Sequence, residues 1–179
     1  VRDARRLAQI LGAANRFDGA EGREPPAERL ERLGTLLLTR CGDAAGAIAE
    51  GKRILDLDPW DWRALWLFGV AALQQGQAPV ARDNFNAVYR QVPGELAPKL
   101  GLAIACEASG EVGVAESLYR TCASTDAAYL PPAAFGMARL RAARGDAEGA
   151  VKALRELGRR AARCQCAGHT ARQRRRQRH

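Results

Sequence analysis

Histidine is nearly missing from this chain. Its 179 residues include two, His169 and His179, both close to the carboxyl end. Residues 1–158 therefore supply no imidazole, which excludes a histidine-based nucleophile pair or a histidine-ligated metal from that region. Aromatic residues are also few, at 6%. That poverty suits helices with thin, repeated interfaces better than a sheet. No run of eighteen apolar residues occurs, which excludes a helical membrane span in this sequence. The opening Val1-Arg2-Asp3-Ala4-Arg5-Arg6 lacks the unbroken apolar core of a secretory signal, and it has no initiator Met. The expectation is a fragment or trimmed product in a cytoplasmic setting.

What the chain has in excess is positive charge, at +8. Its location matters more than its size. Residues 159–179 hold eight arginines and no acid, so the preceding 158 residues balance twenty basic against twenty acidic groups. A neutral body with a basic tail argues against a dedicated nucleic-acid surface. Eight arginines would make salt-sensitive contacts with phosphates. No aromatic residue lies among them to stack on bases.

The informative presence is a repeating frame. Gly42, Gly76, Gly110 and Gly145 step by 34, 34 and 35 residues. Each is followed five residues on by a small residue: Ala47, Ala81, Ala115 and Ala150. Pro59 and Pro93 hold one further position, and Phe85 and Tyr119 another, where Leu154 takes the fourth turn. A period near 34 with this pattern marks stacked helix-turn-helix units of the tetratricopeptide type. The glycine ends a first helix (A) in a left-handed conformation. Asp43 and Asp146 follow it and can cap a second helix (B). The alanine permits close backbone approach, the aromatic one turn later fills the space beside it, and proline closes the unit.

The predicted fold is all-α, a right-handed superhelical array of about four such units spanning 26–158. The A and B helices pair at 26–40 with 43–57, 60–75 with 78–91, 95–109 with 111–124, and 129–143 with 146–158. Unit one departs most: Thr35 stands where Gly69 sits in unit two, and Gly51 where Phe85 would. Residues 1–25 read as a helix with Leu7, Ile10, Leu11 and Ala14 on one face, then a linker rich in Gly and Pro. Residues 159–179 have no apolar side chain larger than Ala apart from Cys164 and Cys166. Such a segment cannot offset its ordering entropy by burial, so disorder is expected there.

Three stretches go beyond a generic repeat: Val92–Leu100, Ala133–Arg141 followed by Gly145–Val151, and Asp61–Trp66. Together they resemble the tetratricopeptide region of the actinobacterial protein kinase G family over 26–158. The resemblance implies a scaffold that braces a kinase domain and contributes to self-association, in proteins where a rubredoxin-like metal module and the kinase precede the repeats. Neither upstream module lies in this sequence, which has no Gly-rich nucleotide loop on a strand, no His-Arg-Asp loop and no Asp-Phe-Gly motif. The family's helices continue where this sequence turns arginine-rich, an ending that a shifted reading frame would produce.

Candidate chemistry is sparse, and no catalytic, cofactor or metal residue is assigned. Gly46–Arg53 has the spacing of a phosphate loop, but Arg53 replaces the Mg²⁺-binding hydroxyl and no strand precedes it. Cys164, Cys166 and His169 lack a fourth ligand and the usual spacing for zinc. Cys41, Cys106 and Cys122 are expected to be small buried hydrophobes. The repeat register places Trp66 and Val70, Leu100 and Ile104, and Phe135 and Arg139 along the inner face of the A helices. That would be an apolar groove, largely without the Lys, Arg and Asn of peptide-carboxylate clamps, and another protein surface is expected to cover it. The partner would be a kinase domain in cis or in trans, a second copy, or a partner's apolar helix. The competing reading is that these residues pack within and between units. Trp60 and Trp62 are expected to pack between units one and two.

Overall fold

The computed structural model describes residues 26–159, and among them every regular element is helical. Helix α1 (Pro26–Leu36) runs on into a π turn (Leu37–Cys41) and pairs with α2 (Ala44–Leu57). Next come α3 (Trp62–Gln74) with α4 (Ala78–Gln91), and α5 (Leu96–Ala108) with α6 (Val112–Thr125). Helix α7 (Leu130–Ala143) pairs with α8 (147–159). Helices α1 to α7 pack on their neighbours in chain order, and successive A helices also touch (α1 with α3, α3 with α5, α5 with α7); Arg141 of α7 donates to the Gly149 carbonyl of α8 at 3.1 Å. That is a solenoid, whose core is the sum of its interfaces.

The frame residues behave as their chemistry requires. Gly42, Gly76, Gly110 and Gly145 have φ of 67°, 73°, 80° and 79°, and no non-glycine residue among those described has positive φ. Each therefore turns the chain where a Cβ would be strained. Asp43 Oδ1 accepts from the Gly46 backbone N–H and Asp146 Oδ1 from that of Gly149, both at 2.8 Å. Both are N-caps on B helices. Ala47, Ala81 and Ala115 are wholly buried, whereas Ala150 is only half-buried.

The aromatics are seated against glycines. A Cβ on Gly69 would lie 2.8 Å from Phe85 Cε1, and one on Gly101 would lie 3.0 Å from the same ring. Phe85 is thus clasped between its own A helix and the next. Tyr119 repeats the arrangement against Gly136 of α7.

Unit one solves the same problem differently. The π turn adds one residue, and the Gly42 N–H reaches the Leu37 carbonyl across it. Gln74 Nε2 donates to the Leu38 carbonyl at 2.8 Å and so ties unit two to the turn. The extra residue corrects the sequence alignment: Gly34, not Thr35, faces the neighbouring helix. Gly34 is buried, and a Cβ there would lie 2.7 Å from Leu67 Cδ1. At Gly51 the missing aromatic is replaced from the next unit, since the Phe68 ring comes within 2.5 Å of where its Cβ would be.

Candidate interaction faces

The six residues assigned to an inner groove separate into two groups. Trp66 is 2% exposed, and Val70, Leu100 and Ile104 are buried with it. The Trp66 ring meets Phe85 edge-on at 5.4 Å between centroids. These four are interior side chains, not the lining of an open groove. Each A helix in the middle of the stack is covered by its own B helix and by the A helices on either side. Phe135 stands in the Trp66 and Leu100 position of unit four and is 52% exposed. Arg139 is exposed as well, but it is not free. Its Nε and Nη2 both contact Glu107, at 2.8 Å each.

The two tryptophans expected to pack between units one and two part company: Trp62 packs against the core and Trp60 does not. Trp60, in the turn before α3, is 82% exposed, the largest open side chain in the described region. Trp62 is half-buried, with the Arg63 guanidinium 5.3 Å from its ring centroid. Period alone could not separate them, because Trp60 precedes the helix and no frame position governs it.

Unit four leaves apolar frame positions open. Leu154 takes the Phe85 and Tyr119 place yet is exposed, and Val151 beside it is exposed too. In inner units the Val151 position carries charge: Arg82 pairs with Glu111, and Glu116 pairs with Arg141 at 3.1 Å and Arg144 at 3.4 Å. Among the described residues the unit-four face carries none of the ion pairs that fix inner units to their successors. It offers Phe135, Val151 and Leu154 instead.

Charged networks that link units were not read from the sequence. Glu107 on α5 accepts from the Tyr119 hydroxyl of α6 at 2.6 Å and from Arg139 of α7. Burial, with the Glu107 carboxylate beside it, pushes the Tyr119 hydroxyl far above the usual tyrosine range. Glu107 in turn holds Arg139 more firmly protonated. Glu116 receives Arg120 at 3.2 Å as well as Arg141 and Arg144. The only advance signal was that Tyr119 carries a hydroxyl where Phe85 has none.

The remaining candidates resolve plainly. Gly46–Arg53 lies inside α2, and Arg53 pairs with Glu50 at 3.0 Å. Cys106 and Cys122 are buried as expected, but Cys41 ends the π turn and is exposed. Burial pushes the Cys122 thiol up to about 11 and also raises Cys106, with Glu111 adding to it. Among the described residues no cluster of three or more His, Cys, Asp or Glu is placed to hold a metal ion. No helix among them is long and apolar enough to cross a membrane. Cys164, Cys166, His169 and the arginine-rich stretch lie outside the described residues, as do Leu7, Ile10, Leu11 and Ala14.

Glycine turns at one interval, helix pairs packed in chain order and aromatics clasped by glycines define a tetratricopeptide array. The chain belongs to the protein kinase G tetratricopeptide repeat family, whose model matches residues 3–174. That match extends past both ends of the region 26–158 over which the sequence resemblance was drawn. The chain is 37% identical over 144 residues to the serine/threonine-protein kinase PknG of Mycobacterium leprae, an alignment covering 80% of this chain and 18% of that kinase. To the PknG of Mycolicibacterium smegmatis it is 34% identical over 116 residues, covering 65% of this chain and 15% of that protein. The chain thus spans less than a fifth of these relatives' length.

Proposed function

We propose that this chain is a non-catalytic docking scaffold, a repeat segment that holds other protein surfaces and makes or breaks no bond itself. The open unit-four face carries this reading. Phe135 and Leu154 occupy positions that bury a helix in every inner unit, yet they face solvent. Exposed apolar side chains in a register evolved for helix packing are a protein contact surface. The family match adds a kinase domain as the first partner to test, supplied in cis or in trans, with a second copy of the chain as the other. The region 26–158 would be the docking body, with 1–25 and 159–179 as its flanks, in a cytoplasmic setting.

The test is titration of the whole chain with the kinase portion of the Mycobacterium leprae relative, alongside sedimentation of the chain alone. The reading expects a complex, or self-association, that Phe135→Asp weakens at least tenfold while helical content stays unchanged. If neither association occurs, or if Phe135→Asp and Leu154→Asp leave affinity intact, the unit-four face is not the docking surface.

A further inference from the structure

At the opposite end of the array, unit one displays two large apolar side chains that its repeat frame does not call for. Leu57, at the end of α2, is 57% exposed, and Trp60 in the turn that follows is open as well. One period later the same places hold Gln91 and Gly94. The two turns are alike in their backbone. The Asp61 N–H reaches the Asp58 carbonyl at 3.1 Å, and the Glu95 N–H reaches that of Val92 at 3.1 Å. A glycine therefore suffices at the Trp60 position, and the fold gives no reason for an indole there.

The turn holds the Trp60 backbone firmly while leaving its ring open. Asp58 Oδ1 accepts from the Trp60 N–H at 2.9 Å. Asp61, itself buried, accepts from the Arg63 backbone N–H at 2.9 Å and pairs with the Arg63 guanidinium at 3.0 Å. Arg63 also reaches Glu28 of α1 at 3.3 Å, which ties the turn to the first helix of the array. An aromatic ring on a fixed backbone loses little further freedom when it is covered. Tryptophan is also enriched among the residues that anchor protein interfaces.

Leu57 also lines a cleft of about 450 Å³ between the start of α1 and the last turn of α2. Pro26, Leu30 and Leu57 form its apolar part, and its charges are Arg29, Arg53 and Asp56. Arg29 is exposed and makes no ion pair among the described residues. Arg53 pairs with Glu50, yet its side chain is still 62% exposed. Two open guanidiniums against one carboxylate leave the cleft an excess of positive charge, which a carboxylate-bearing segment complements. We propose that this end of unit one is a docking site for an acidic segment of a partner protein, whose large apolar side chain packs on Leu57 and Trp60 and whose carboxylates meet Arg29 and Arg53. The site is separate from the open unit-four face and stands or falls without it.

The experiment titrates the whole chain with short end-blocked peptides in which Asp and Glu flank a single Leu, Met or Phe, and with the same peptides carrying Lys for each acid. Calorimetry and tryptophan emission are read together. The expected result is saturable binding of the acidic peptides, at least tenfold tighter than their Lys counterparts, with a change in emission that Trp60→Ala abolishes. Trp60→Ala and Arg29→Glu should each weaken binding at least tenfold with helical content unchanged, and Asp56→Asn should strengthen it. Phe135→Asp, at the far end, should leave it unaltered. The proposal is overturned if no acidic peptide binds, if the Lys peptides bind as well, or if Trp60→Ala and Arg29→Glu leave affinity intact. Binding lost in Phe135→Asp would place the site at unit four and overturns it too. Acrylamide quenching of the free chain, compared with Trp60→Ala, tests the other occupants. A Trp60 already shielded without peptide would mean that a second copy fills the site if the shielding grows with protein concentration, and another segment of the chain if it does not. Either result overturns the proposal.

Discussion

The Tyr119 hydroxyl donates to Glu107 Oε2 at 2.6 Å, and this one bond ties the B helix of unit three to its A helix beneath the first turn of contacts with unit four. Glu107 also carries both bonds from Arg139, so a single carboxylate joins α5, α6 and α7. The Tyr119 ring is wholly buried, so its hydroxyl has no water to fall back on. Replacing Glu107 with Ala leaves that hydroxyl unsatisfied and should cost about 2–3 kcal/mol in urea unfolding. Tyr119→Phe removes donor and demand together and should cost about 1 kcal/mol. Equal losses in the two variants would show that the carboxylate contributes nothing beyond its bond to the tyrosine.

Cys122 sets an alkaline limit on stability. Its thiol is pushed from 9.0 up to about 11, chiefly by burial, so the native state favours the neutral form. A raised pKa contributes stability that is fully present below the unfolded value and is lost as pH climbs through the folded one. Stability of the wild type should therefore fall between pH 9 and about 11. Cys106 and Tyr119, both raised, extend the fall in the same direction. Cys122→Ala should flatten the pH 9–11 part of the curve in denaturant titrations at fixed ionic strength. An unchanged slope there would assign the loss to other groups.

How far the sequence could be read follows from what each residue does. Gly42, Gly76, Gly110 and Gly145 announce themselves because positive φ is a local demand, met by one residue type. Ala47, Ala81 and Ala115 were legible for the same reason, since close approach tolerates little else. Trp66 was not. Its large apolar ring fits an open groove and a closed interface equally well, and only the presence of covering helices on both sides decides. Phe135 has the same frame position and the opposite exposure. Gly34 escaped because a π turn shifts the register by one residue without altering the spacing of the loop glycines. Glu107 and Glu116 escaped because ion pairs between units depend on side-chain reach across helices, which a period does not encode.

The glycines of the A helices make a sharp pair of predictions. A Cβ on Gly136 would overlap the Tyr119 ring, and that ring is anchored by its bond to Glu107. Gly136→Ala gains helix propensity but overpacks a site that cannot yield, with a net loss of about 1–3 kcal/mol. Gly113, in the first turn of α6, has nothing within 4 Å of where a Cβ would go. Its φ is not positive, so Gly113→Ala should stabilise the protein by up to about 1 kcal/mol. Thermal unfolding of the two variants should move in opposite directions.

Trp66 and Trp60 separate core from surface in the same unit. Trp66 is 2% exposed and stacked edge-on with Phe85, so truncation to Ala empties the centre of the interface between α3 and α4. The expected loss is about 3–5 kcal/mol, a large part of what a domain of this size has to lose. Trp60 is 82% exposed, and Trp60→Ala should change stability by no more than about 0.5 kcal/mol. Fluorescence distinguishes them without ambiguity. In the native state Trp60→Ala should shift the emission maximum to the blue, because the remaining signal comes from the buried Trp66 and half-buried Trp62. A partner assay that relies on Trp66→Ala would report unfolding in place of lost contact. Phe135→Asp is the cleaner probe, since its ring already faces solvent. If Trp66→Ala proves as stable as Trp60→Ala, then α3 and α4 are not packed through that ring, and the closed interface between them is wrong.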